Sequence, residues 1–424
     1  MKFRRCTTFI FLLSLTIYCR AREEWATIFV HGIMHLKPHL SVSNIVKFAY
    51  DDIADSIYVR AVEYLRRDPY FWQHHAMQGL GLQPILLEQP LPGNAAAATA
   101  HCYDHLLKYA ASTHVPTHYF TFGWSGLFSP FMRELEATIL YREIELLIQR
   151  YRARGIDLKI RLIGYSHGGY IILNIGLAYS HRFKPSVQID ELVLLGVPLS
   201  PHAYQQICSP AFKKIYHIFS PGDAVQIVDC LSHAGSLTQR RFEASYGLPE
   251  GLQQIEFRCT RLARTTSTGT LTPPITLYRK KLERRADPGH SELYSFAWTC
   301  NYRSYWPLAP LPAVAYVGYI IELIKTHCPH DTMITVDFRP FQEKVHIKGE
   351  STPMLCLPFL TTTQLRNVAQ LAEPYRPADY SVPLFFEKIN AALARAAQEK
   401  RGEWRSCQTS KKSDICICCA RNVK

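Results

Sequence analysis

Between Ile160 and Leu173 the chain reads IRLIGYSHGGYIIL. A β-branched apolar run breaks at Gly164, passes Ser166 and His167, and returns to an apolar pattern after Gly168 and Gly169. The run before the break has strand character and the run after it helical character, so the break is a strand-to-helix turn. A side chain at the apex of so sharp a turn takes unfavourable backbone angles and needs small neighbours. Gly164, Gly168 and Gly169 supply that room. The Ser166 hydroxyl then stands clear at a sheet edge. The His167 N–H opens a helix, where partial positive charge favours an anion.

The same alternation of elements recurs along the chain. WATIFVHGIMH contains a short buried-type strand, Thr27 to Val30, stopped by His31 and Gly32. THYFTF (Thr117–Phe122), LKIRLIG, ELVLLG, KKIYHIFS and QQIEFRCTR read as further strands. RELEATILYREIELLIQRYRARG is an amphipathic helix with a stop at Gly155, and GYIILNIGLAYSHRF is a second helix. PAVAYVGYIIELIK is a third, too short and too charged to span a bilayer. Strands alternating with helices predict an α/β fold with a mostly parallel central sheet and helices on both faces. With 47% of 424 residues hydrophobic, such a sheet can be buried on both sides. In this architecture the ligand site lies at the carboxyl ends of the strands. That edge carries His31-Gly32, Gly123-Trp124-Ser125, Ser166, Val197-Pro198 and Asp223.

A serine hydroxyl is a weak nucleophile and needs a base, which in turn needs an orienting acid. On a strand–turn–helix serine of the G-x-S-x-G type, formed here by Gly164, Ser166 and Gly168, the partners follow in the order acid, then histidine. Asp223, in IFSPGDAV, ends the next strand but one. His290, in DPGHSELYS, follows one strand later. Asp229 is a rival acid, Asp287 is read as shaping the turn before His290, and the rival base is His233, which comes before the strand QQIEFRCTR. The His167 side chain is expected to point along the helix start rather than back at Ser166. Two backbone donors are needed for a developing oxyanion. The His167 N–H is one candidate; the Ile33 N–H is the other, with His31 and Gly32 allowing the backbone a close approach.

These segments resemble the α/β-hydrolase superfamily, and within it the lipase-like esterases. The resemblance rests on FVHG (Phe29–Gly32), GYSHGG (Gly164–Gly169), LLGVP (Leu194–Pro198), SPGDAV (Ser220–Val225) and GHSEL (Gly289–Leu293). It implies Ser166 as nucleophile, Asp223 as acid and His290 as base, with no metal or organic cofactor. The substrate class it implies is a carboxylic ester, with acyl lipids included. An acyltransferase or thioesterase would share the same three residues, and a non-catalytic binding protein on this scaffold is the reading from another class.

Around the expected hydrolase domain of residues 22–330, residues 36–112 and 230–286 read as inserts. The aromatic stretches YFWQHHAM and FGWSGLFSPFM are candidates for an acyl pocket or lid, or for plain core. Residues 331–400 read as a C-terminal extension, with TMITVDFRPFQEKVHIKGE alternating like antiparallel strands and PLFFEKINAALARAAQEKRGEW as a terminal helix. The basic, cysteine-containing tail of residues 401–424 is expected to be loose.

Lys2, Arg4, Arg5 and Arg20 flank an apolar run from Cys6 to Tyr18, which reads as a signal peptide over residues 1–21. The expectation is an exported protein, secreted, periplasmic or in the cell envelope, with an uncleaved N-terminal anchor as the alternative. The net charge of +13 suits a membrane surface as well as plain solubility. No compact Lys/Arg stripe with interleaved aromatics is present, so nucleic acid is not an expected partner. The 13 cysteines are scattered apart from Cys416, Cys418 and Cys419, and their spacing fixes no pairing. That cluster lacks the second ligand pair of a metal site, and no metal is expected.

Overall fold

A computed structural model describes residues 22–33, 57–73, 77–88, 90–111, 115–126, 130–182, 187–228, 238–243, 247–262, 283–298, 305–379 and 381–410. The expected signal peptide, Asp229, Cys230, His233, Cys300 and the chain beyond Ser410 lie outside them. In chain order the main elements are β1 (Arg22–Val30), α1 (Ile57–Arg67), β2 (Gly81–Pro84), α2 (Ala95–Ala110) and β3 (Thr117–Gly123). Next come α3 (Pro130–Arg152), β4 (Ile156–Tyr165), α4 (Gly168–Ser180), β5 (Ile189–Leu195), α5 (Pro201–Ile207) and β6 (Phe212–Phe219). They are followed by β7 (Leu252–Leu262), β8 (Glu283–Arg285), α6 (His290–Tyr294) and α7 (Val317–His327). The chain closes with β9 (Met333–Arg339), β10 (Lys344–Lys348), β11 (Leu355–Pro358), α8 (Thr362–Ala372) and α9 (Val382–Ser410).

The strands form one large sheet in the order β11-β10-β9-β7-β6-β5-β4-β1-β3-β2, with β8 paired to β7 off that path. From β3 through β1, β4, β5, β6 and β7 to β9 every pairing is parallel. The β2, β8, β10 and β11 pairings are antiparallel. The chain is therefore a mixed α/β protein with a mostly parallel sheet. Both faces of the sheet are covered, which is why its strands read as nearly unbroken apolar runs. Phe29, Ile163, Val193, Leu195 and Ile218 face a core shared with α2 and α7. Ile28, Val30, Leu162, Leu192 and Leu194 face a core shared with α3 and α4. A third, smaller core joins α1 to α9 through Ala61, Val62, Leu65, Phe385, Ile389, Ala392 and Ala396.

Several expectations change. β1 extends back to Arg22, because its N-terminal half pairs with β4 through Trp25↔Lys159. Within the expected 36–112 insert, the stretch GNAAAATAHCY opens α2, the crossover helix between β1 and β3. Asn94 caps it by accepting from the Ala97 N–H at 3.0 Å. Alanines bury there with no 3.6-residue contrast, so periodicity does not report them. The expected 36–112 and 230–286 inserts therefore contain structural parts of the sheet layer, α2 and β7. β9 of the expected extension pairs in parallel with β7, so residues 333–358 widen the main sheet rather than form a layer of their own. α9 continues through Ser410; one glycine, Gly402, costs a helix only about 1 kcal/mol and does not stop it. Cys102, Cys208, Cys259, Cys328 and Cys356 are free thiols. Among the described residues no helix is long and apolar enough to cross a membrane.

His217 on β6 is a polar group that this core leaves unpaired. It is fully buried between Phe219 and Phe242. The nearby Gln254 amide is committed to the Phe242 backbone at 2.7 and 2.9 Å, so neither imidazole nitrogen has a partner among the described residues. Burial pushes the imidazole down to about 3. The unfolded chain takes up this proton below about pH 6.5 and the folded chain does not, so stability falls as pH drops from about 6.5 towards 3. The slope is roughly 1.4 kcal/mol per pH unit for this one group. His217→Phe removes the term while keeping the ring packing. In urea unfolding, its stability advantage over wild type is expected to be larger at pH 5 than at pH 7; equal gaps at both would count against this reading.

Candidate active site

The chain leaves β1 to build β3 on one side and returns to place β4 on the other. The carboxyl ends of β1 and β4 thus meet at the point where strand order reverses, the position where such sheets open a crevice. Ser166 follows β4 there with φ of 52°, a left-handed conformation unusual for a residue with a side chain. The turn is held by the Ser166 N–H donating to Leu195 O at 3.0 Å and by Ser166 O accepting from the Gly169 N–H at 2.9 Å.

His290, the first residue of α6, lies with Nε2 at 2.9 Å from Ser166 Oγ and Nδ1 at 2.8 Å from Asp223 Oδ2. A carboxylate at Nδ1 makes that nitrogen the N–H donor and leaves Nε2 to accept the serine hydroxyl. Asp223 is fully buried, and its other oxygen accepts from the backbone N–H groups of Val225 at 2.9 Å and Gln226 at 3.4 Å. Three residues distant in sequence, from three separate strand ends, form one hydrogen-bonded relay. Of the rivals, Asp287 holds Arg285 through both carboxylate oxygens and accepts from the Cys259 N–H, which makes it a loop-shaping residue.

Residues not singled out in the sequence hold the relay in place. Tyr165 donates its hydroxyl to His290 O at 2.8 Å, and its ring lies 4.8 Å from the imidazole and 4.5 Å from Tyr294. Ser220 donates to Pro288 O at 2.7 Å, joining the acid loop to the histidine loop. Arg240 donates from Nε and Nη2 to the Asp223 carbonyl at 3.0 and 2.8 Å. Gly196, with φ of 61°, passes so close that a Cβ there would lie 3.3 Å from Asp223 Oδ2. Each of these contacts joins separate chain segments, so local pattern carries no signal for them.

On the oxyanion side, a Cβ on Gly32 would meet the Ser166 Cβ at 3.1 Å. One on Gly168 would lie 2.3 Å from His31 O, and one on Gly164 would meet Ile172 at 2.6 Å. The loop after β1 therefore lies on the first turn of α4, with Gly32 against Ser166. The His31 ring is buried against Trp124 at 5.5 Å, and the Trp124 Nε1–H donates to His31 O at 2.7 Å. Its Nδ1 donates to Gly32 O, and Nε2 accepts from Arg66 Nη2, which also donates to Trp124 O. Burial, with Arg66 alongside, holds His31 well below the ordinary histidine range and therefore neutral. Burial brings the Arg66 guanidinium down to about 9 against the opposing charge of Glu136, which leaves it cationic at neutral pH. The His167 ring meets Arg133 Nη1 at 2.8 Å through Nδ1. It points at α3, away from Ser166, in keeping with the expectation. Of the aromatic stretches, Tyr70, Phe71 and Trp124 are core, while Phe131 is exposed.

The fold and site together define an α/β protein with a serine–histidine–aspartate relay at the switch point of its sheet. Compared with protein-family models, curated proteins and solved structures, the chain matches none of them.

The contact between Gly168 and His31 is testable by size alone. Gly168→Ala places a methyl group against backbone and is expected to cost about 1–3 kcal/mol, read as a lowered melting temperature. Gly79→Ala, where the space is open, is the control and should stay within about 0.5 kcal/mol.

Proposed function

We propose that the chain is a serine hydrolase of carboxylic esters on an α/β-hydrolase fold. The observation that carries this reading is the relay itself: a left-handed Ser166 whose hydroxyl meets the imidazole of His290, whose other nitrogen meets the buried Asp223. Ser166 Oγ attacks the acyl carbonyl while its proton passes to His290 Nε2. The carbonyl oxygen becomes an oxyanion facing the N–H groups of Ile33 and His167. As the tetrahedral species collapses, His290 returns the proton to the leaving alcohol. A water, deprotonated by the same nitrogen, then releases the acid and restores the serine. Asp223 keeps Nδ1 protonated throughout and stabilises the transient imidazolium. The sheet order supports the fold assignment, since the three groups follow β4, β6 and the β7–β8 pair in the order serine, acid, histidine. Exposed Phe131 and Val225 on the same edge supply apolar surface suited to an acyl chain.

A fluorophosphonate probe is expected to label Ser166, with the adduct mapped by peptide mass spectrometry. On p-nitrophenyl esters of rising chain length, Ser166→Ala and His290→Ala should abolish turnover above background. Asp223→Asn, which favours the wrong tautomer, should lower kcat by about 10⁴-fold. An unlabelled Ser166 in folded protein would sink the proposal. Acyl transfer to added alcohols or thiols in preference to water would turn it towards an acyltransferase.

A further inference from the structure

Two buried arginines grip the histidines that stand on either side of the proposed oxyanion hole. Arg66, at the end of α1, is 2% exposed and donates to His31 Nε2; Arg133, in the first turn of α3, is also 2% exposed and meets His167 Nδ1 at 2.8 Å. His31 immediately precedes Gly32-Ile33, and His167 immediately follows Ser166. One guanidinium therefore meets the ring two residues before the Ile33 N–H, and the other meets the ring of His167 itself, the two N–H groups proposed to receive the oxyanion. The His31 nitrogen that accepts from Arg66 carries no proton, so that ring is a neutral strut and the positive charge belongs to the arginine.

For Arg66 this arrangement is expensive as packing. A buried guanidinium is costly unless it is fully paired, and an apolar side chain of similar size would fill the same space without that penalty. Among the described residues Arg66 has no carboxylate at ion-pair distance, its Nε is buried without a partner, and its third contact is Met77 Sδ at 3.1 Å. The carboxylate acting on it from further away is Glu136, whose oxygen accepts from the Ser125 N–H at 3.3 Å. Arg133 lies over the Tyr170 ring at 4.9 Å, and Tyr170 is itself held by Pro198 O and the Ser200 N–H. Positive charge is thus stationed behind the place where negative charge appears only during reaction.

We propose that Arg66 and Arg133 are positioning residues for the oxyanion hole, acting through His31 and His167 and placing fixed positive charge behind the Ile33 and His167 N–H donors. This inference rests on the serine-hydrolase reading above. It also gives the C-terminal helix a task. Arg66 is carried by α1, and α1 is clamped by α9 through the third core, the Lys388–Asp68 ion pair at 2.6 Å and the Tyr64–Glu399 hydrogen bond.

The test uses the full chain with the arginines replaced singly by Met and by Lys. Active sites are counted by fluorophosphonate titration of Ser166, and kcat is expressed per titrated serine. A boronic acid inhibitor, which forms a tetrahedral anionic adduct with the serine, probes the oxyanion hole without turnover. For Arg66→Met and Arg133→Met, kcat per site is expected to fall about 10- to 100-fold while KM stays within about twofold. The boronate inhibition constant should rise by the same factor as kcat falls, and the Lys variants should recover part of both. Fewer titratable serines with normal kcat per site would show a merely structural role and overturn the proposal. A raised KM with unchanged kcat would overturn it too, by assigning the arginines to substrate binding. If the Met variants do not fold, the Lys variants decide, since wild-type kcat and boronate affinity in both would refute it. Failure of wild type to label at Ser166 would instead strike the serine-hydrolase reading beneath it.

Discussion

The left-handed backbone of Ser166 is the constraint on which the rest of the site depends. Such a conformation costs a residue with a side chain roughly 1–2 kcal/mol, and it persists only where the surroundings impose it. Here the β5 carbonyl of Leu195 holds the serine N–H on one side, and the first turn of α4 holds its carbonyl on the other. The turn can be tight because His31 O packs against Gly168 where any Cβ would collide, and Val197 does the same at Gly169. The same contact presses the loop after β1 against the helix start, so the serine turn and the seat of Gly32 beside it are one packing event.

A second constraint acts at the acid and histidine loops. Asp223 is buried with its charge met by His290 and two backbone N–H groups, which is what a buried carboxylate requires. Its loop is fastened from three directions: Arg240 on its own carbonyl, Gln226 on Val197 O, and Ser220 on Pro288 O. Tyr165 then fixes the histidine from below by both a hydrogen bond and ring contact. The result is a relay whose members have little freedom to drift, as electrostatic preorganisation demands.

Part of this was legible in the chain. The strands are buried on both faces, so their apolar runs and the glycine-rich break at Ser166 announce themselves. The order of Ser166, Asp223 and His290 follows from which strand each one ends. What was not legible involved residues whose surroundings are assembled from far away. The alanine-rich α2 buries without apolar contrast, and β9 looks like a separate hairpin until its pairing with β7 is seen. Arg66 and Arg133 carry no signal in the sequence, because nothing beside them reveals that a histidine from another element receives them.

The sequence by itself determined the alternation of strand and helix, the sharp turn at the serine, and the strand ends at which an acid and a base could stand. These are local matters, governed by side-chain periodicity and by the steric freedom of glycine. Only the tertiary structure decided that Asp223 and His290 meet at 2.8 Å, that Asp287 is spent on Arg285, and that two buried arginines reach His31 and His167. Those outcomes depend on which elements pack together across the sheet, and distances between residues far apart in sequence are set by that packing alone.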